Sequence, residues 1–141
     1  MQELHNFVLL QLHGCTNLRV LSLAGLDNLC YLELRRLPNL VTVTLSESSG
    51  TQEDGGIFES LAYVLLVDLD SLTHVPDLRS CSSLQIFILY HCRNVTNFEG
   101  VECHNVRKVF LARLSHQQLE RPPNFKSLQL DYSVYQLCWR Q

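Results

Sequence analysis

The stretch CRNVTNFEGVECHNV, residues 92–106, holds the residue types from which a metal site or a glycosylation acceptor is built. Cys92 and Cys103, with His91 and His104, offer sulfur and imidazole ligands, and Asn94-Val95-Thr96 meets the N-x-[ST] rule. A structural zinc site needs its ligand pairs a few residues apart, so that one tight turn aims both at the ion. Cys81, Cys92 and Cys103 instead recur every eleven residues. The adjacent pairs His91-Cys92 and Cys103-His104 point their side chains in different directions, so no metal site is expected. The remaining histidines (His5, His13, His74 and His116) are scattered. No Ser, His, Asp or Glu falls in a nucleophile elbow or paired-carboxylate motif. Gly55-Gly56 sits among Glu47, Glu53 and Asp54, the wrong charge for a phosphate cradle. Neither catalysis nor a cofactor is expected.

The motif is one period of something longer. Cys92-Arg93-Asn94-Val95 returns as Cys103-His104-Asn105-Val106, and an Asn or Ser followed by an apolar residue recurs along the chain. The series runs Asn6, Asn17, Asn28, Asn39, Ser60, Ser71, Ser83, Asn94, Asn105 and Asn124, mostly at eleven-residue steps. These side chains are expected to bond local backbone at turns, which argues against a sugar on Asn94. After most of them the chain reads apolar-x-x-apolar-x-apolar, as in Leu61-x-x-Val64-x-Leu66, Leu84-x-x-Phe87-x-Leu89 and Val106-x-x-Val109-x-Leu111. The apolar-x-apolar core has the period-two alternation of a short strand.

This pattern resembles the leucine-rich repeat family across essentially the whole chain. The resemblance implies an α/β repeat: a curved solenoid of about six coils of 19–23 residues. Its parallel β-sheet would form the concave face, and its convex side would be irregular or short-helical. The strands would end at Leu23, Leu45, Leu66, Leu89, Leu111 and Leu130. Leu10-Gln11-Leu12 and Leu32-Glu33-Leu34 also fit the strand motif, so the register at the amino end is taken from the carboxyl half. Residues 46–60 keep the overall spacing without a mid-repeat anchor and read as an acidic loop. Residues 131–141, rich in aromatics, are expected to cap the last coil. The chain reads as one repeat domain, a fragment or module of a larger protein. Ile57-Phe58-Glu59-Ser60-Leu61, Leu72-Thr73-His74-Val75-Pro76 and the repeat ending at Cys92 are similar to irregular repeats of plant intracellular immune receptors.

Composition agrees with a globular chain of one domain: 141 residues, 46% hydrophobic and 18% charged. A net charge of −3, with only Lys108 and Lys126 as lysines, points away from nucleic acid and anionic membranes. No apolar stretch approaches the ~20 residues of a span. The opening MQELHNFVLLQLHGC carries Glu3 and no basic leader, unlike a signal peptide. Reduced cysteines and a cytoplasmic location are therefore expected. In the repeat frame, Cys15, Cys81 and Cys103 share one column with Leu37, Phe58 and Pro122, as small core-filling residues do.

Strand alternation assigns the outward triplets. Val20-Ser22-Ala24, Thr42-Thr44-Ser46 and Ser127-Gln129-Asp131 are small or polar. Tyr63-Leu65-Val67, Ile86-Ile88-Tyr90 and Lys108-Phe110-Ala112 are largely apolar. At about 4.8 Å between strands these three span a few hundred Å², flanked by Asp68, His91, Lys108 and Arg113. Tyr63, Leu65, Val67, Ile86, Ile88, Tyr90, Lys108, Phe110 and Arg113 are the candidate contacts for a protein or peptide partner. The competing occupant is another domain of the same parent chain. Within the family, the implied role is ligand sensing or autoinhibition in an immune-receptor-like protein. A substrate-recruiting subunit of a ubiquitin ligase is a second reading. A secreted or cell-surface receptor, with a Cys81–Cys103 bridge and a sugar on Asn94, is a third.

Overall fold

A computed structural model describes residues 8–45, 58–101, 106, 108–120 and 129–130. The chain winds as a parallel-strand solenoid. The described residues form eight strands: β1 (Val8–His13), β2 (Val20–Ser22), β3 (Leu29–Arg35), β4 (Thr42–Thr44), β5 (Tyr63–Val67), β6 (Ile86–Tyr90), β7 (Lys108–Ala112) and β8 (Gln129–Leu130). Six of them form one sheet in the order β1-β3-β5-β6-β7-β8, while β2 and β4 pair separately, and every pairing is parallel.

Each strand forms because one alternate set of side chains is apolar and has a neighbour on which to stack. The sequences YVLLV, IFILY and KVFLA are β-branched and aromatic, and their burial alternates residue by residue. Leu34, Leu66, Leu89 and Leu111 stand in register, and they are buried with Leu32, Val64, Phe87 and Val109. The core continues through Leu37, Phe58, Leu69, Cys81 and Cys92. In the first coil Val8, Leu10 and Leu12 are only half-buried, because β1 pairs on one side alone among the described residues.

The two sheets explain the eleven-residue period and correct the expected register. Each of the first two coils contains two extended half-turns, one on each sheet. Leu18-x-x-Leu21-x-Leu23 and Leu40-x-x-Val43-x-Leu45 do form strands, but these are β2 and β4 of the second sheet. The alternative set, Leu10-Gln11-Leu12 and Leu32-Glu33-Leu34, supplies β1 and β3 of the main sheet. In-register leucines of the main sheet are Leu12, Leu34, Leu66, Leu89 and Leu111, at steps of 22, 32, 23 and 22 residues. The long step carries ten surplus residues between β4 and β5. A surplus of ten is nearly half a coil, so extrapolating back across it exchanges the two sheets. Residues 46–60 therefore do not keep the spacing; most of them, 46–57, lie outside the described residues.

The steps from β1 to β7 make about four turns rather than six coils. At the carboxyl end Leu130 pairs with Val109, two residues out from the expected alignment with Leu111. Among the described residues the second side, expected to be irregular or short-helical, is partly extended and almost without helix. It is β2 and β4, a His74–Asn97 bridge, one 3₁₀ turn at Glu99–Val101 and a helix α1 at His116–Glu120. No helix among the described residues is long and apolar enough to cross a membrane.

Side chains at the corners tie coil to coil. Asn39, Ser71, Asn94 and Ser115 each donate to a carbonyl of the preceding coil: Thr16, Pro38, Asp70 and Arg93, respectively. Three members of the recurrent Asn/Ser series, Asn39, Ser71 and Asn94, thus bond across the coil boundary, not within their own turn as expected. Ser115 and Gln118 add a capping box on α1. The Gln118 amide oxygen accepts from the Ser115 N–H at 2.8 Å, and the Gln118 N–H donates to Ser115 Oγ at 3.3 Å. The buried Gln118 Nε2 also donates to the carbonyls of Cys92 and Val95, both at 2.7 Å.

Candidate functional site

The outer face of the main sheet is a grid, because parallel strands in register bring equivalent residues side by side. Its first row reads Leu9, Tyr31, Tyr63, Ile86, Lys108; the second reads Gln11, Glu33, Leu65, Ile88, Phe110; the third reads His13, Arg35, Val67, Tyr90, Ala112. Eight of the nine expected contacts, all but Arg113, fall within these rows. Tyr63, Leu65, Val67, Ile86, Ile88 and Phe110 are half-buried; Tyr90 is 41% exposed and Lys108 is exposed.

Arg113 belongs to a fourth row that strand alternation does not foresee. Gly14, Arg36, Asp68, His91 and Arg113 each follow a main-sheet strand, and each has a positive φ between 52° and 72°. The left-handed backbone turns the chain out of the sheet while its N–H stays in the ladder. Gly14, Arg36, Asp68 and His91 each donate at 3.0 Å to the last residue of the next strand: Arg35, Val67, Tyr90 and Ala112. Only Gly14 adopts this conformation without strain from a Cβ. The other four place charged or titratable side chains along one edge of the face. There His91 Nδ1 donates to Asp68 Oδ1 at 2.7 Å.

The amino-terminal half of the face is polar and was missed by the expected register. Glu33 is 4% exposed and accepts from four groups. Gln11 Nε2 and the Tyr31 hydroxyl reach Oε1 at 3.0 and 2.7 Å, while His13 Nε2, at 2.8 Å, and Arg35 Nε reach Oε2. Burial pushes the Glu33 carboxyl up, but these four donors outweigh it and hold the group down at about 2. Donation to Glu33, reinforced by burial, in turn raises the Tyr31 phenol above its ordinary value. Tyr31 also meets Tyr63, with ring centroids 6.2 Å apart and planes at 42°, linking the polar half to the apolar half. The available signal was Leu32-Glu33-Leu34, a strand motif with a charge at its outward position.

The residues that first suggested chemistry lie elsewhere. Cys92 is buried, and its thiol donates to the carbonyls of Leu66 and Tyr90. Burial pushes that thiol up to about 12. In the observed register Cys92 shares its column with Cys15, Leu37, Leu69 and Leu114, which replaces the column expected for Cys15. Asn94 Nδ2 is engaged with Asp70 O at 2.6 Å. Cys103, His104 and the tail 131–141 lie outside the described residues, and so does any Cys81–Cys103 contact.

No protein-family model, curated protein or solved structure matches the chain.

Proposed function

We propose that the chain is a non-catalytic recognition module of leucine-rich-repeat type that binds a protein or peptide partner across the outer face of its main sheet. The observation carrying this reading is the apolar block Tyr63, Leu65, Val67, Ile86, Ile88, Tyr90 and Phe110 on three adjacent strands. Each strand is hydrogen-bonded on both sides and packed on leucines from beneath, so the block is presented rigidly and binding costs little ordering. Aromatic and branched side chains in a patch of this size, rimmed by charge, have the composition of an interface centre. In an immune-receptor-like protein this face would be the sensing surface.

The test is site-specific photocrosslinking in extract from the source cells. A benzophenone amino acid is placed at Leu65 or Ile88 on the main sheet, or at Thr42 on the second sheet. One partner should crosslink from both main-sheet positions and not from Thr42. The purified partner should then bind the wild-type chain and lose binding to Tyr90→Glu, with circular dichroism unchanged. Crosslinking from Thr42 alone would move recognition to the other sheet and defeat the proposal.

A further inference from the structure

The charges around the apolar block specify what kind of segment it fits. The chain as a whole is acidic, at −3, yet the described face and its ridge carry Arg35, Arg36, Lys108 and Arg113 against Glu33 and Asp68. Both carboxylates are already engaged: Glu33 by its four donors, and Asp68 by His91. Arg36 and Lys108 are exposed and, among the described residues, held in no ion pair. They stand at opposite corners of the block, Arg36 beyond the end of β3 and Lys108 at the start of β7.

Resting on the recognition reading above, we infer that the occupant of this face is an acidic–apolar peptide segment, laid across the strands with carboxylates on both flanks of a short apolar run. The grid sets its dimensions. From β3 to β7 is three strand spacings, roughly 14 Å, and from the Lys108 row to the Arg36 ridge is five residues along a strand, roughly 16 Å, so the diagonal is about 22 Å, which an extended peptide covers in about six or seven residues. The apolar run is therefore about five residues long, seated over Leu65, Val67 and Ile88. The flanking carboxylates meet Arg36 at one end and Lys108 at the other. Asp68 stands next to Arg36 on the ridge, one strand along, and opposes any further carboxylate beside that end, which excludes a uniformly acidic peptide. Charge at the rim acts mainly through steering and selection among partners, while the apolar block supplies most of the affinity.

The experiment is selection of a random dodecapeptide phage library on the whole chain, followed by fluorescence anisotropy with the enriched peptides synthesised and labelled. The expected peptides carry Asp or Glu on both sides of an apolar run. Their affinity should fall at least tenfold in Arg36→Glu/Lys108→Glu, rise in Asp68→Asn, and weaken between 50 and 300 mM salt as rim charges are screened (Debye length about 10 Å at 0.1 M). Binding should be lost in Ile88→Glu, and also in Tyr90→Glu, whose side chain is exposed enough to spare the fold. Peptides that bind in a Tyr90-dependent way but lack acidic flanks, or ignore the charge reversal, overturn this inference and leave the recognition reading standing. Enrichment of nothing that depends on Tyr90 or Ile88 overturns both.

Discussion

Replacing Glu33 with Gln isolates the polar half of the face. The carboxylate accepts four hydrogen bonds and is nearly buried, so the substitution turns an amide N–H₂ toward one of the two donor pairs, Gln11 with Tyr31 or His13 with Arg35. The pH dependence gives the magnitude. Glu33 sits at about 2 in the folded chain against an ordinary 4.5. At about 1.4 kcal/mol per tenfold change in proton affinity, that gap is a ceiling of about 3.5 kcal/mol. Water at the sheet surface screens part of it, leaving about 1–3 kcal/mol. The folded value is depressed, so this stabilisation is complete above 4.5 and is lost as pH falls from about 5 toward 2. Urea denaturation followed by circular dichroism, on wild type and Glu33→Gln at pH 7 and pH 3, reads the effect directly. Wild type should lead by about 1–3 kcal/mol at pH 7, and the lead should shrink by about 1–2 kcal/mol at pH 3. Tyr31→Phe, which removes one donor, should cost about 1 kcal/mol at pH 7. A wild-type lead that is the same at both pH values would refute the reasoning, since the carboxylate would then be no better placed folded than unfolded.

Gly100→Ala should destabilise by about 2–3 kcal/mol in the same assay, because its Cβ would overlap the Pro76 carbonyl oxygen and lie 2.7 Å from the Pro76 carbonyl carbon, both backbone atoms that cannot swing aside. A loss below about 0.5 kcal/mol would mean the 3₁₀ turn and the Pro76 segment are not in close contact. Gln118→Leu should cost about 2–3 kcal/mol by stranding the carbonyls of Cys92 and Val95 and opening the capping box, and Gln118→Glu should cost more by setting a carboxylate against two carbonyls. Equal stability of the Leu variant and wild type would dismiss that role. Iodoacetamide at pH 8, read by peptide mass spectrometry, should label exposed Cys15 in the folded chain and spare Cys81 and Cys92 until urea unfolds it; fast native labelling of Cys92 would contradict its buried placement.

Much of the architecture was legible in the chain. A repeat of Asn or Ser before apolar-x-x-apolar-x-apolar demands stacked coils, since no single coil can bury its own leucines. In the carboxyl half, where Leu66, Leu89 and Leu111 follow at 23 and 22 residues, period and alternation together named β5, β6 and β7 and the face of Tyr63, Ile88 and Phe110. Ser115 and Gln118 carry a helix-start signature too, but the reach of Gln118 into the preceding coil depends on atoms more than twenty residues away.

What the sequence by itself determined is a stack of repeated coils and, in the carboxyl half, the inward apolar columns of β5, β6 and β7. Which half-turn of the early coils stacks on β5 was decided only by the tertiary structure. The two half-turns have the same eleven-residue pattern, and ten surplus residues before β5 imitate one of them, so no local signal separates the alternatives. Hydrogen bonding between whole strands does: Leu32 and Leu34 pair with Val64 and Leu66, and that choice carries Glu33 onto the same face as Leu65 and Ile88. A lone glutamate in a strand becomes a four-donor carboxylate because β1, twenty-two residues back, delivers Gln11 and His13 beside it. That pairing also sets a polar half against the apolar half, and a cation at each opposite corner of the block.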